Sequence, residues 1–210
     1  MKRFLVFLSL ALLPLLSPSL ALAAPDAPDA LIGRIGNELL DRIRADGSLK
    51  SGDLSKISSL VDSTVMPHVD FQRMTALAVG RNWRQANPEQ QKQLMGEFRL
   101  LLLRTYSGAV SSVQDQTLRT KPLRAAAGDT EVVVRSEILE RGRQPIQLDY
   151  RLYKADSGWK IYDVNVLGVW LIETYRNQFA QEVSASGIDG LIRSLSEKNR
   201  AASQSQAKKS

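Results

Sequence analysis

The side chains best suited to nucleophilic and metal chemistry, cysteine and histidine, are nearly absent from this chain. There is one histidine, His68, beside Pro67, and there is no cysteine. A lone histidine cannot assemble a zinc cluster, and no HExxH pattern is present to hold a catalytic metal. No GxSxG turn presents a serine, and no GxxxxGK[ST] loop cradles a phosphate. His68 therefore reads as a structural or surface residue, and no metal or cofactor is expected. What the sequence concentrates instead is apolar surface. The segment Leu100-Leu101-Leu102-Leu103 follows Phe98 at one residue's remove and points leucine to every side of a helix. Such a helix is either covered all round by protein or turns one side to something apolar that is not protein. That choice, core or ligand cavity, is the functional question this chain poses.

The elements that must position this helix follow from periodicity. Leu31, Ile32, Ile35, Leu39, Leu40 and Ile43 predict an amphipathic helix ending near Gly47. A second starts near Asp53, with Leu54, Ile57, Leu60 and Val61 on one face, and Pro67 limits it. Phe71, Met74, Leu77 and Ala78 form a third, which stops near Gly80. Asn87 suits an N-cap, Pro88 the first helical turn and Glu89 the positive end of the helix dipole, so the leucine-rich helix begins there.

After Gly108 the pattern turns extended. Residues 111–123 allow a weakly patterned strand. Glu131 to Glu140 alternates, with Val132, Val134 and Ile138 on one face. Pro145 to Lys154 alternates more cleanly, placing Ile146, Leu148, Tyr150 and Leu152 opposite Gln147, Asp149 and Arg151. Asp156-Ser157-Gly158 marks a turn before a strand over Trp159 to Val166. A helix over Val169 to Val183 follows, Gly187 breaks it, and Ile188, Leu191, Ile192 and Leu195 make a short last helix. Helices, then a meander of three or four antiparallel strands, then helices is an α+β order.

The apolar side chains aimed at one volume are Val132, Val134, Ile138, Ile146, Leu148, Tyr150, Leu152, Val164 and Val166 from strands. Phe98, Leu101, Leu102, Tyr106, Val169, Ile172 and Tyr175 join them from helices. On composition alone such a set is more often plain core than pocket.

The N-terminus has the form of a signal peptide. Lys2 and Arg3 precede an apolar run from Phe4 to Leu16, and Ala21-Leu22-Ala23 is a small-residue cleavage site. The apolar run is too short to span a bilayer comfortably. The expected organisation is a signal peptide over 1–23, a single domain over 24–195, and a polar tail over 196–210 that lacks apolar periodicity and is expected to be disordered. Removing Lys2 and Arg3 from a chain of net charge +6 leaves +4. The basic residues are scattered, which with export argues against nucleic acid as a partner. A monomer stabilised by its core alone, without disulfides, is expected.

Several segments carry a family resemblance in their order and spacing: Val79 to Arg84 (VGRNWR), Pro88 to Gln91 (PEQQ), Pro145 to Tyr153 (PIQLDYRLY), Gly158 to Val164 (GWKIYDV), Gly168 to Phe179 with its YRNQF segment, and Gly187 to Leu195 (GIDGLIRSL). Together they resemble the MlaC family, also called the toluene-tolerance family, of periplasmic phospholipid-binding proteins. The resemblance implies a cone-shaped, cystatin-like or nuclear-transport-factor-like fold. In that fold a curved sheet of about four strands and its helices enclose an apolar lipid cavity lined by the residues named above. It implies a carrier without catalysis, shuttling phospholipid between the outer and inner membranes and maintaining outer-membrane lipid asymmetry. Its partners would be an inner-membrane Mla ABC transporter complex and an outer-membrane MlaA lipoprotein–porin complex. Trp170 departs from the small residue common at that place, and a ring there is expected to narrow or cap the pocket. The alternatives are a small-molecule enzyme of isomerase or dehydratase type on the same cone, using Asp149, Asp163, Tyr150 or Tyr162, and a protein-binding adaptor with a filled core.

Overall fold

The computed structural model describes residues 26–126 and 128–207. The segment read as a signal peptide, with its cleavage site, lies outside the described residues.

Helix starts are set by side-chain caps. Pro28–Ala45 is α1, Gly47–Lys50 a single turn, α2, and Leu54–Thr64 is α3. Asp53 accepts from the backbone N–H groups of Ser55 and Lys56, satisfying two donors that the first turn of α3 leaves orphaned. Asp70 does the same for α4 (Phe71–Val79), accepting from Arg73. Gly80, at φ 67°, ends that helix in a conformation L side chains avoid. A 3-10 turn over Gly80–Gln85 leads to α5, Pro88–Ser111. Asn87 caps it as expected. Gln90 completes a reciprocal pair by accepting from the Asn87 N–H while its own N–H donates to the Asn87 side chain.

The sheet has five strands, antiparallel and in chain order: β1 (Thr117–Thr120), β2 (Glu131–Leu139), β3 (Ile146–Ala155), β4 (Gly158–Val166) and β5 (Val169–Trp170). The weak strand expected within 111–123 is the short β1. As an edge strand it exposes unpaired backbone groups, and α1 covers them. The Asn37 amide nitrogen donates to the Leu118 carbonyl at 3.3 Å, and its oxygen accepts from the Leu118 N–H at 3.2 Å. Gly36 lets β1 come this close, since a Cβ there would stand 2.7 Å from a Leu118 methyl.

Two expectations are corrected at the C-terminal end. Val169 and Trp170 are strand rather than helix, and α6 (Leu171–Ala207) begins after them. The segment from Ser196, expected as a disordered tail, is helical through Ala207. It has no apolar stripe, but Asn199 is buried and its amide donates to the Glu97 carbonyl at 3.0 Å and carboxylate at 2.7 Å. Polar anchoring of this kind is invisible to hydrophobic periodicity. Gly187, at φ 70°, breaks α6 where the sequence expects a break.

The apolar residues form two cores. One lies between the sheet and α1 to α3, around Ile32, Ile43, Ile57, Val134, Leu152 and Ile161. The other is helical, built by α4, α5 and α6 around Met74, Leu94, Phe98, Ile172, Phe179 and Leu191. Val69 and Val164 pack against both. The helices close to the strands are α1, α4 and α6, while α5 packs on α2, α3, α4 and α6. The leucine-rich helix thus touches both cores and packs chiefly on other helices.

Candidate functional site

Strand register places all nine predicted sheet residues on one face. Val132 pairs with Leu152, Val134 with Tyr150 and Ile138 with Ile146. Tyr150 pairs with Val164 and Leu148 with Val166, and Val166 in turn faces Val169. A bulge at Tyr162 puts Asp163 opposite Arg151 and Ile161 opposite Leu152. The extra residue turns both Ile161 and Val164 onto the apolar face and sends Asp163 to the other.

Burial along this face is graded. At one end Val132, Val134 and Leu152 are buried in the sheet-side core. In the middle Leu148, Tyr150, Val164 and Val166 are half-buried, and at the far end Ile146 and Val169 are exposed. The face therefore closes at the Leu152 end and opens at the Ile146 end. Tyr150 sits where the two regimes meet. Burial pushes its hydroxyl up to about 12, beside the Ser136 hydroxyl and the Asp149 carboxylate, yet the residue retains accessible surface. Tyr150 is half-buried and packs on the sheet-side core.

The predicted helical residues divide. Phe98 is fully buried, with its ring edge-on to Tyr175 at 4.9 Å and to Phe179 at 5.2 Å. Ile172 and Tyr175 are buried in the same helical core. Leu101 and Leu102 are half-buried against that core, whereas Leu103, absent from the predicted set, packs on the sheet-side core with Val110. The seven-residue spacing of Leu103 and Val110 is the helical signal that marks them as one face. Tyr106 is exposed at 37%, and what burial it has raises its pKa. All four leucines, 100 to 103, are half-buried.

Asp163 is tied to structure through both carboxylate oxygens, Asp149 through one, its buried Oδ1 having no partner. Asp163 is fully buried, and one carboxylate oxygen accepts from the N–H groups of Val164 (2.9 Å) and Ile172 (3.1 Å). The other takes Arg151 at 2.9 Å. Desolvation nonetheless raises its pKa above the usual carboxylate range, against those three contacts. With its acceptor sites used in pinning α6 to β4, it has no free oxygen aimed at a substrate. Asp149 accepts from Gln147 at 2.7 Å, on the same face as Asp163 and away from the apolar side. His68 lies in the 3-10 turn Met66–His68 between α3 and α4, and burial lowers its pKa. Among the described residues no three His, Cys, Asp or Glu side chains come together as a metal site.

Trp170 does not cap the apolar face. It pairs with Asn165, which pairs with Asp149, so its ring lies on the opposite side, under the Arg151 guanidinium at 3.9 Å. A separate hollow of about 780 Å³ opens between the Gly80 turn and the Gly187 kink, lined in part by Arg81, Arg176, Val183 and Ile188. None of the predicted pocket residues borders it.

The described helices include none long and apolar enough to cross a membrane. A profile of the MlaC protein family matches residues 34–197. The chain is 22% identical, over 195 residues and 91% of each chain, to the intermembrane phospholipid transport system binding protein MlaC of Haemophilus influenzae. It is 25% identical over 174 residues to the toluene tolerance protein ttg2D of Pseudomonas putida, covering 82% of this chain and 80% of that one. Among solved structures, the phospholipid-binding protein from Ralstonia solanacearum, determined in complex with a phospholipid, matches with a TM-score of 0.81 at 46% identity. That match covers 83% of this chain and 98% of the other. The profile match takes in all five strands, the whole of α5 and all of both cores except Leu31 and Ile32, and the chain belongs to the MlaC family.

Proposed function

We propose that this protein is a periplasmic phospholipid carrier. It holds acyl chains between the half-buried part of the sheet face and α5, and it shuttles lipid between the outer and inner membranes without catalysis. The observation that carries this reading is the graded apolar face, closed at Leu152, half-buried at Tyr150 and open at Ile146. The phospholipid bound by the Ralstonia relative supports it.

Physical magnitudes explain the need for such a protein. A diacyl lipid has about 30 chain methylenes at ~0.8 kcal/mol each, so passing it through water costs on the order of 20 kcal/mol. A cavity that buries both tails removes most of that barrier. The bilayer buries them equally well, so transfer is close to neutral, and direction must come from partners. In this family reading those are the inner-membrane Mla ABC transporter complex and the outer-membrane MlaA lipoprotein–porin complex, with outer-membrane asymmetry as the outcome.

The test is to express the full chain in a diderm host, purify it from the periplasmic fraction and extract it with organic solvent. Diacyl lipid near one per chain is expected. Native mass spectrometry showing only the bare polypeptide, under conditions that keep a control lipid complex intact, would refute the carrier.

A further inference from the structure

The exposed large apolar side chains of the described residues are Tyr106, Val133, Ile146, Leu167 and Val169. Ile146, Leu167 and Val169 belong to one end of the molecule. The Leu167 N–H donates to the Gln147 carbonyl at 3.1 Å, which sets it beside Ile146, and Val169 faces Val166 on the adjoining strand. Leu167 is 67% exposed and Val169 56% exposed. Singly exposed apolar residues are ordinary, but a contiguous group is not.

Leu167 is the unusual member. It is the only described residue other than glycine at positive φ, 53°. A leucine is disfavoured in that region, where Gly or Asn is at ease. The conformation is held from both sides, by the Gln147 carbonyl and by the Gly168 N–H donating to the Asn165 side chain at 2.8 Å. The tip of the β4–β5 turn thus keeps a large apolar side chain out in water.

Charge at this end favours anions. The β2–β3 turn beside Ile146 carries Arg141 and Arg143. Glu140 is engaged by Arg143 at 2.9 Å and by Gln116 at 2.9 Å, and Glu137 by Arg119 and Lys121. Arg141 has no carboxylate partner among the described residues, and Asp115 is the exposed carboxylate left over at this end. An apolar tip flanked by a free guanidinium is the chemistry of an anionic lipid interface, where tip and charge act together.

We infer that this end of the protein docks on the surface of an anionic bilayer, with Leu167 inserted below the headgroups and Arg141 against their phosphates. The choice of a lipid surface as occupant rests on the carrier reading, because the apolar face opens at the same end. Docking there brings the open end of the face to the lipid it would exchange.

The experiment uses full-chain protein recovered from the periplasm and vesicles of equal phosphatidylglycerol and phosphatidylcholine, in co-sedimentation at low and high salt. Wild type should bind at low salt, bind more weakly at high salt and bind pure phosphatidylcholine poorly. Leu167→Asn suits the positive φ and should fold, while vesicle binding falls roughly tenfold, as losing one inserted leucine implies. Arg141→Gln should cost about fivefold on the anionic vesicles alone. Lipid extracted from both variants should equal that of wild type. Failure of lipid-carrying wild type to bind the vesicles, or equal binding by a folded Leu167→Asn, overturns the docking surface and points to a protein partner. Vesicle binding by a wild type that never carries lipid would keep the docking surface and overturn the carrier reading.

Discussion

Two tryptophan substitutions on one strand separate pocket from core. Leu148 and Leu152 lie on the same face of β3, four residues apart, with Ser136 and Val132 as their β2 partners. Leu152 is fully buried in the sheet-side core, whereas Leu148 is half-buried toward the open end. At a close-packed site a larger side chain forces its neighbours off their rotamers, at about 1–3 kcal/mol. For a domain of this size each kcal/mol lowers the melting temperature by roughly 2–4 °C. Leu152→Trp should therefore melt several degrees below wild type. Leu148→Trp, if its ring enters open volume, should melt close to wild type when stripped of lipid.

Bound lipid should respond in the opposite order. An indole in the pocket displaces about three chain methylenes, which at ~0.8 kcal/mol each weakens lipid binding by ~2.4 kcal/mol, about 50-fold. The assay pairs thermal melting of lipid-stripped protein with lipid content after identical purification. Leu148→Trp should lose lipid and keep stability, and Leu152→Trp the reverse. Equal loss of melting temperature in the two variants, with lipid content unchanged in Leu148→Trp, would mean that the half-buried part of the face is ordinary core.

Tyr150 supplies a pH prediction. Its hydroxyl is held protonated to about 12, against a usual value of 10.0. The folded state therefore keeps a proton that the unfolded chain has released, so the stability it contributes is full below pH 10 and is lost as pH rises toward 12. Tyr150→Phe cannot titrate, so wild type should lose more stability than the variant across that window, on the order of 1–3 kcal/mol. Parallel denaturation profiles from pH 9 to 12 would contradict this. Asp163→Asn keeps one oxygen for the Val164 and Ile172 N–H groups but turns an amide toward Arg151, at a cost of about 1–3 kcal/mol. Lipid transfer per folded molecule, measured between donor and acceptor vesicles, should be unaltered. Its loss at unchanged stability would restore Asp163 to a role in chemistry or head-group contact.

What could be read in advance was what has a strict period or a special residue. Alternation along Ile146, Leu148, Tyr150 and Leu152 defines their common face, and Asp53, Asn87, Gly80 and Gly187 mark helix ends through capping and positive φ. Depth was not legible. Period-two alternation says which way Val134 and Leu148 point, but not that one lies under α1 and α3 while the other faces a less crowded end. The bulge at Tyr162 was hidden as well, because inserting one residue swaps the faces of everything beyond it without any change in composition. Trp170 was misplaced for a related reason. The tight turn through Leu167 and Gly168 starts a fifth strand, and the pairing of that strand with β4 decides which face the ring takes.

The division of the apolar residues into two cores bears on how a pocket between them would stay open when empty. Apolar walls facing an unfilled gap lose dispersion contacts and tend to close. Here α1 to α3 pack on the closed end of the apolar sheet face itself, and the Phe98, Tyr175 and Phe179 rings fill the helical side. Polar ties fix the separation at the edges. The buried Asp163 links β4 to the first turn of α6, and Tyr153 donates to Asp70 at the cap of α4 at 2.6 Å. Arg73 lies between the Tyr153 and Tyr162 rings, at 4.4 and 4.1 Å, while pairing with Glu131. Collapse onto the gap would have to break these directional contacts as well as repack two cores. On the carrier reading proposed above, lipid would enter walls already in place, so little of its burial energy would be spent on ordering the protein, and it would leave again when a partner offers an equally apolar site.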